Sequence, residues 1–156
     1  MEAAEIIALL GLQPHPEGGW YRRVYESEAL LEGGQRCGSA IYYLLGEGEF
    51  SAFHRLGQDE LLHHYLGAAL SVHQFIDGEY QAAALGGDLA SGQRPQLAVR
   101  AGTTYAIAPQ PGRGWALIGC TVYPEFRFET FSMPKAEDLI TLYPLHRELI
   151  QRYTRG

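Results

Sequence analysis

Residues 53–67, FHRLGQDELLHHYLG, place three histidines and two acidic residues within fifteen positions. The stretch contains two short runs of β-forming residues, which a Gly-Gln-Asp segment separates. On a strand, side chains alternate between the two faces and advance about 3.3 Å per residue. Glu60, Leu62 and His64 therefore share one face of the second run, whereas His63 points to the other face.

A single strand cannot bring Glu60 and His64 to one metal ion, because the two residues lie roughly 13 Å apart along it. A hairpin can bring His54 and Glu60 together. If 56–58 forms the loop, His54 lies opposite Glu60 on the same face, whereas a two-residue loop pairs Arg55 with Glu60. The sequence leaves both registers open.

Similar short runs continue on both sides of this stretch, and Gly, Pro, Asp or Gln separates most of them. Many short strands at such spacing are typical of a β-sandwich or barrel. The predicted strands are 39–45, 51–56, 60–66, 69–76, 79–85, 96–99, 104–108, 115–122 and 126–131.

Helices are predicted only near the two ends of the chain. Apolar residues at helical spacing predict a helix over 3–10, which ends at Gly11. Two further short helices are predicted after Lys135. Residues 13–27, QPHPEGGWYRRVYES, combine prolines and a glycine pair with a β-rich run, which predicts an irregular arm leading into a strand.

Composition limits the classes of partner and compartment. The chain has 156 residues and a net charge of −6, so we expect one domain over 1–156 and no nucleic-acid partner. The apolar stretch at the N-terminus is too short to cross a bilayer and lacks a basic flank, so we expect a cytoplasmic protein without a membrane partner. Cys37 and Cys120 lie in apolar runs, which predicts reduced thiols in the core.

The intervals in the opening stretch have a counterpart in a known signature. Gly48, His54, Leu56, Glu60 and Gly67 lie at the spacing G(x)5HxH(x)3-4E(x)6G. This arrangement resembles the first signature of cupins, and leucine stands at the second histidine. In metal-binding cupins both histidines and the glutamate are ligands, and a later PxGxxH element supplies a fourth.

The later cupin element also departs from the metal-binding pattern. The stretch 100–105, RAGTTY, keeps the glycine but places Tyr105 where the histidine would stand. Two of the four ligand positions are thus Leu56 and Tyr105. A catalytic zinc site usually has three protein ligands, and His54 with Glu60 provides two. We therefore expect no cofactor and do not favour a divalent metal at His54 and Glu60.

A wider resemblance covers nearly the whole chain. Members of cupin superfamily 5 share patterns such as HPEGGxYxExY, TxIYxLL, FHRxxxDExWH and GCTVxPxFxFExF. The chain carries their counterparts in order: HPEGGWY at 15–21, SAIYYLL at 39–45, FHRL with DE at 53–60, and GCTV at 119–122. It departs at Leu62, where tryptophan is usual, at Arg23 and at 123–125. The chain is similar to this family in several independent segments.

The resemblance implies an all-β fold: a cupin double-stranded β-helix, or jelly-roll barrel, with short N-terminal and C-terminal helices. It also implies a small-molecule ligand at the barrel mouth and a homodimer, but it supplies no reaction. The arm at 13–21 and the aromatic residues of 123–131 offer apolar surface that a two-fold partner would cover.

The chemistry of three residues leads to a functional hypothesis. His54 has an ordinary pKa near pH 7, and an adjacent Glu60 carboxylate would fix its tautomer. Tyr105 would add a weak acid from another strand, so these three are the candidate catalytic residues. Metal-free sugar epimerases of the cupin superfamily look similar. We therefore predict an acid/base isomerase or epimerase that acts on a carbohydrate-like or other small polar compound.

Three further residues are candidates for ligand binding: His63, His64 and Glu17. His63 and His64 cannot both face inward on a regular strand, and a bulge would be needed for either to complete a metal site. Glu17 in Pro-Glu-Gly-Gly also suits a turn. Two alternatives to the isomerase stay open, namely a non-catalytic metabolite-binding or scaffold cupin, and a metal-dependent cupin enzyme.

Overall fold

The computed structural model describes residues 1–155, and β-strands dominate them. In chain order the strands are β1 (Gln13–Pro14), β2 (Trp20–Glu26), β3 (Ser39–Leu45), β4 (Ser51–Leu56), β5 (Asp59–Gly67), β6 (Leu70–Ile76), β7 (Glu79–Leu85), β8 (Gln96–Val99), β9 (Thr104–Pro109), β10 (Ala116–Tyr123) and β11 (Phe131–Ser132). The α-helices are α1 (Ala3–Leu10), α2 (Ala136–Leu142) and α3 (Arg147–Arg152). Short 3₁₀ turns occupy Leu89–Ser91, Phe128–Thr130 and Pro144–His146.

The strands form two antiparallel sheets that face each other. The first has the order β1-β2-β3-β10-β5-β8, and the second has the order β11-β4-β9-β6-β7. Apolar side chains from both inner faces pack into one core, which includes Tyr43, Leu62, Val72, Ile107 and Ile118. Two facing sheets with short terminal helices confirm the predicted all-β architecture.

The alternation of apolar residues located most strands to within one or two residues. The run at 126–131 is the exception, and the strand prediction there is wrong. It contains a 3₁₀ turn at Phe128–Thr130, and only Phe131–Ser132 pairs with β4. Phe126 packs edge-on against Phe128 at 4.9 Å between ring centroids. The alternating aromatic residues therefore build a local cluster rather than one face of a strand.

The two strands of the opening stretch do not form a hairpin. β4 lies in the second sheet and β5 in the first, so the Gly57-Gln58 segment crosses between sheets. His54 pairs with Tyr105 in β9, while Glu60 pairs with Val99 in β8. Neither predicted hairpin register occurs. His54 and Glu60 approach each other across the barrel interior instead.

β5 carries a bulge, but the bulge follows the two adjacent histidines. Leu117 of β10 pairs with Leu66, and Ile118 pairs with His64, which leaves Tyr65 as the extra residue. The alternation of β5 before His64 is therefore regular. Glu60 and Leu62 remain on the inner face of the sheet.

The helices cover the outer faces of the sheets. Apolar residues of α1 pack with Leu44 and Leu117 on the first sheet, and α2 and α3 pack on Phe53 and Phe75 of the second. No helix among residues 1–155 is long and apolar enough to cross a lipid bilayer.

The two cysteines are both free thiols, but they differ in burial. Cys120 is buried, as predicted, whereas Cys37 is only partly buried. The prediction of a core position for Cys37 is therefore wrong. Cys37 lies near the end of the connection between β2 and β3, where the chain passes from the exposed residues 31–34 to the buried start of β3.

The core should tolerate truncation at Leu62 poorly. Leu62 is completely buried, whereas Leu61 on the other face of β5 is half-buried. We expect Leu62→Ala to lower the free energy of unfolding by about 2–5 kcal/mol, and Leu61→Ala to lower it markedly less. Urea unfolding monitored by tryptophan fluorescence measures both changes. Equal losses in the two variants would contradict the inward placement of Leu62.

Candidate functional site

A cavity of about 430 Å³ lies between the sheets at one end of the barrel. The buried polar residues in its lining are Glu17, Ser39, Ser51, His54 and Glu60. Exposed residues form its rim, namely Arg23, Arg127, Phe128 and Glu129. Two of the three predicted catalytic residues, His54 and Glu60, therefore line the same cavity, and so does the predicted ligand-binding residue Glu17.

His54 supplies a neutral imidazole to the cavity wall. It is 3% exposed, and its Nδ1 lies 2.7 Å from the carbonyl oxygen of Ala52. A carbonyl oxygen only accepts hydrogen bonds, so Nδ1 carries the proton and Nε2 keeps a lone pair. Burial lowers the pKa of His54, although the Glu60 carboxylate and the Ala52 carbonyl oppose this change. The Ala52 carbonyl therefore fixes the tautomer, a role that the sequence had suggested for Glu60.

Glu60 and Tyr105 form a hydrogen bond that links the two sheets. The Tyr105 hydroxyl, on β9, donates to Glu60 Oε1, on β5, at 2.5 Å. The Tyr105 ring also packs on the His54 ring at 4.1 Å between centroids. Burial, with a smaller effect of the Glu17 carboxyl, raises the pKa of Glu60 to about 7, although His54 and Tyr105 oppose the rise. Glu60 is therefore partly protonated and partly ionised near neutral pH.

Tyr105 itself is buried behind Glu60 rather than placed on the cavity wall. Burial and the neighbouring carboxyls of Glu60 and Glu17 raise the pKa of Tyr105 well above its ordinary value. The phenol therefore stays protonated and donates its hydrogen bond to Glu60. The structure brings His54, Glu60 and Tyr105 together, but it places Tyr105 one step behind the surface that a ligand would touch.

Glu17 enters the cavity from the arm before β2. Its Oε2 lies 3.2 Å from His54 Nδ1, and its Oε1 lies 3.7 Å from His15 Nδ1. Burial raises the pKa of Glu17 to about 8, although Ser51 and Arg155 oppose the rise. Burial and proximity to His54 lower the pKa of His15 to about 4. At neutral pH the arm therefore presents a protonated carboxyl and a neutral imidazole.

The position of Glu17 depends on contacts that are distant in sequence. Arg155 donates from Nε to the Glu17 carbonyl oxygen at 3.1 Å and from Nη2 to the Phe50 carbonyl oxygen at 3.0 Å. Its guanidinium also lies 4.3 Å from the Phe50 ring centroid. The Tyr43 hydroxyl donates to the carbonyl of Gly18. Sequence reasoning missed Arg155, because nothing in the C-terminal segment signals a contact with residues 138 positions earlier.

His63 and His64 lie outside the cavity. His63 Nε2 lies 3.2 Å from Thr121 Oγ1 on the outer face of the first sheet. His64 Nε2 lies 3.0 Å from the carbonyl oxygen of Ala68, beyond Leu62 on β5. The structure therefore does not bring these two candidate ligand-binding residues to His54. Sequence reasoning also missed His15 and Ser51, although the former belongs to the HPEGG motif.

The aromatic residues predicted for a dimer interface contribute largely to the cavity mouth. Phe126, Phe128 and Phe131 line the cavity, and Phe131 packs near His54 at 5.7 Å between ring centroids. Tyr123 and Phe128 remain about half exposed. The homodimer stays a prediction.

The residues present do not fit the four-ligand metal site of metal-binding cupins. Leu56 contributes an apolar side chain to the cavity, and the Tyr105 hydroxyl is directed at Glu60. His54 uses Nδ1 for the Ala52 carbonyl. Within residues 1–155, no three His, Cys, Asp or Glu side chains are arranged to hold a metal ion.

The family of the chain follows from comparison with known proteins. The profile of the family described as Cupin superfamily (DUF985) matches residues 4–134. The chain belongs to this family. The membership confirms the cupin resemblance and the predicted jelly-roll barrel. No curated protein sequence matches this cupin significantly.

Solved structures agree with this assignment. A Shewanella oneidensis protein is 38% identical, with a TM-score of 0.94 over 100% of this chain and 99% of its own. A hypothetical protein from Leishmania major is 27% identical, with a TM-score of 0.90 over 100% of both chains. Oxalate decarboxylase from Bacillus subtilis is 13% identical, with a TM-score of 0.59 over 90% of this chain and 36% of its own. The last likeness concerns the fold alone.

The buried carboxyls make stability depend on pH. Because the pKa of Glu17 is raised from 4.5 to about 8, the folded state keeps a proton that the unfolded state has lost in this window. The free energy of unfolding should therefore fall as pH rises from 4.5 to 8. His15 and His54, whose pKa values are lowered, act in the opposite direction only below about their ordinary value of 6.5.

Between pH 6.5 and 8 the pH dependence of stability therefore reports mainly on the buried carboxyls. Over this pH range we expect the free energy of unfolding of the wild-type protein to fall by on the order of 1–2 kcal/mol. In Glu17→Gln most of this pH dependence should disappear, because an amide does not titrate. Glu47→Gln, in the exposed loop after β3, is the matched control and should behave as wild type. Urea unfolding at a series of pH values measures the effect. A wild-type slope in Glu17→Gln would contradict it.

Proposed function

We propose that this cupin catalyses metal-independent acid/base isomerisation or epimerisation of a small hydroxy-carbonyl compound, such as a carbohydrate derivative. The observation that carries the proposal is the pairing of two groups across one cavity. His54 offers the lone pair of Nε2 because its Nδ1 donates to Ala52, and Glu60 lies on the opposite sheet with a pKa of about 7. A neutral imidazole and a carboxyl that still holds a proton near neutral pH suit proton transfer.

The reaction follows from these two positions. His54 Nε2 removes a proton from the carbon next to the substrate carbonyl, and the electrons of the C–H bond form a carbon–carbon double bond. The protonated Glu60 carboxyl donates its proton to the carbonyl oxygen, which completes an enediol. A proton then returns to carbon, on the other face for the epimer or at the adjacent carbon for the isomer, and His54 gives up the proton that it had taken. As the enediol collapses to a carbonyl, its hydroxyl proton passes back to Glu60, so both groups are restored and no oxidant or reductant is needed.

Tyr105 acts in this scheme as a positioning residue. Its hydroxyl holds Glu60 Oε1, and its ring supports the His54 ring from the neighbouring strand. A hydrogen bond donated to a carboxylate favours the ionised form. Tyr105 therefore keeps the pKa of Glu60 close to neutral against the effect of burial.

Exchange of carbon-bound hydrogen with solvent deuterium tests the chemistry. We expect the wild-type protein to incorporate deuterium beside the carbonyl of at least one member of a panel of keto-sugars and hydroxy-ketones in D₂O. Replacement of the base in His54→Asn should reduce this rate at least about a hundredfold, as followed by proton NMR and mass spectrometry. His63→Asn, outside the cavity, is the matched control and should retain the wild-type rate.

The absence of exchange across the whole panel in the wild-type protein would refute the proposed reaction. So would equal rates in the His54 and His63 variants. Ligand binding without any exchange would favour the alternative of a non-catalytic metabolite-binding cupin.

Tyr105→Phe separates positioning from mere packing. Loss of the hydroxyl should raise the pKa of Glu60 above about 7 by up to about one unit, and the limb of the pH–rate profile that reports Glu60 should move by the same amount. Carbon-13 NMR of labelled glutamate measures the pKa without any need for activity. Tyr25→Phe, on the exposed side of β2, is the control. An unchanged or lower pKa of Glu60 in a folded Tyr105→Phe protein would exclude this role.

A further inference from the structure

Two buried polar atoms on the cavity wall lack a hydrogen-bond partner. They are Ser51 Oγ, on β4, and Glu17 Oε2, on the arm. Ser51 is completely buried. Its hydroxyl lies near enough to the Glu17 carboxyl to oppose the rise of its pKa, but the two groups are not in hydrogen-bonding geometry with each other. The nearby His54 Nδ1 already donates to Ala52. Buried polar groups are rarely left unpaired, so this part of the wall suits a ligand group that both donates and accepts.

The charges around the cavity indicate which ligand would be admitted. The arginines in its lining, Arg23 and Arg127, are exposed at the rim, and each contacts a glutamate, at 2.8 and 3.2 Å respectively. Among the described residues no lysine or arginine lines the buried part. A carboxylate or phosphate drawn to Ser51 would therefore meet the carboxyls of Glu17 and Glu60 without a buried cation. Burial of an unpaired charge in such a place is strongly unfavourable.

An ammonium group would be disfavoured for the opposite reason. It would require an ionised Glu17, whereas burial raises the pKa of Glu17 to about 8. A protonated carboxyl and a hydroxyl are both neutral groups, and each can donate and accept. Together they match another neutral group of the same kind.

We propose that Ser51 and Glu17 form a subsite for a hydroxyl group, and that the ligand entering this end of the cavity is an uncharged polyhydroxylated compound. The inference rests on the proposed function, because it takes the same cavity as the ligand site. The ligand hydroxyl would bridge Ser51 Oγ and Glu17 Oε2, and Ile41 and Ile107 would contact the carbon skeleton. The cavity volume of about 430 Å³ lies toward the small end of the range for ligand sites, roughly 300–1,000 Å³.

Binding of matched pairs to the full chain tests the inference without any catalysis. Glycerol, ribitol and glucitol are compared with glycerate, ribonate and gluconate, and methyl glucoside is compared with methyl glucuronide. In each pair the uncharged member has a hydroxymethyl group where the anion has a carboxylate. None of the probes has a free carbonyl beside a hydroxyl-bearing carbon, so none can isomerise. We expect the uncharged member of at least one pair to bind at least about tenfold more tightly in NMR titrations at neutral pH.

Variants of the two wall residues locate the subsite. Ser51→Ala should weaken binding of the uncharged probe about tenfold, whereas Ser71→Ala, on β6 and outside the cavity, should not. Glu17→Gln keeps a neutral group that donates and accepts, so it should retain the preference for the uncharged member. Thermal unfolding confirms that each variant is folded.

Several outcomes would overturn the subsite: equal or tighter binding of the anions, binding by Ser51→Ala as strong as by wild type, or no binding of any uncharged probe at millimolar concentration. A crystal structure with the probe bound in which Ser51 contacts only an ordered water would also overturn it. Binding of uncharged probes without deuterium exchange in the keto-sugar panel would refute the isomerase and leave the subsite intact. Exchange without a preference for uncharged probes would refute the subsite alone.

Discussion

Burial of two carboxyls and an imidazole between facing sheets is the constraint on which the site depends. In water Glu17 and Glu60 would be ionised at neutral pH. Between the sheets, desolvation raises the pKa values of both carboxyls and lowers that of His54. The same physical effect therefore moves all three groups toward their neutral forms. At neutral pH the cavity therefore holds a neutral imidazole, a largely protonated Glu17 and a partly protonated Glu60.

The Tyr105–Glu60 hydrogen bond joins two positions that are metal ligands in the signature of metal-binding cupins. In metal-binding members a cation would hold the glutamate ionised. Here a phenol occupies the later ligand position and donates to Glu60 Oε1, while Leu56 contributes apolar surface. A neutral donor stabilises the carboxylate less than a metal ion does. The effect of burial on the pKa of Glu60 is therefore larger than that of the hydrogen bond, and the pKa is about 7. The phenol at position 105 thus pairs Glu60 with a neutral donor instead of a cation.

The limits of local reasoning appear at particular elements. Strand positions were predictable because alternation is a property of neighbouring residues, as in β3 and β4. The 126–131 run has the same alternation, but its rings pack on one another instead of on a sheet. The partners of β4 and β5 were not predictable, since a two-residue connection fits a hairpin as well as a crossing between sheets. His54 and Glu60 nevertheless lie close together, because β4 and β5 belong to two sheets that face each other.

By itself the sequence determined the family, the all-β barrel and the presence of a histidine, a glutamate and a tyrosine in place of a full set of metal ligands. Those features can be predicted from the spacing of residues along the chain. Only the tertiary structure decided which groups meet in the cavity, that Ala52 orients His54, that Arg155 holds the arm of Glu17, and that His63 and His64 lie elsewhere. Contacts between distant segments, and the desolvation they produce, depend on how the sheets stack, and no local pattern encodes that.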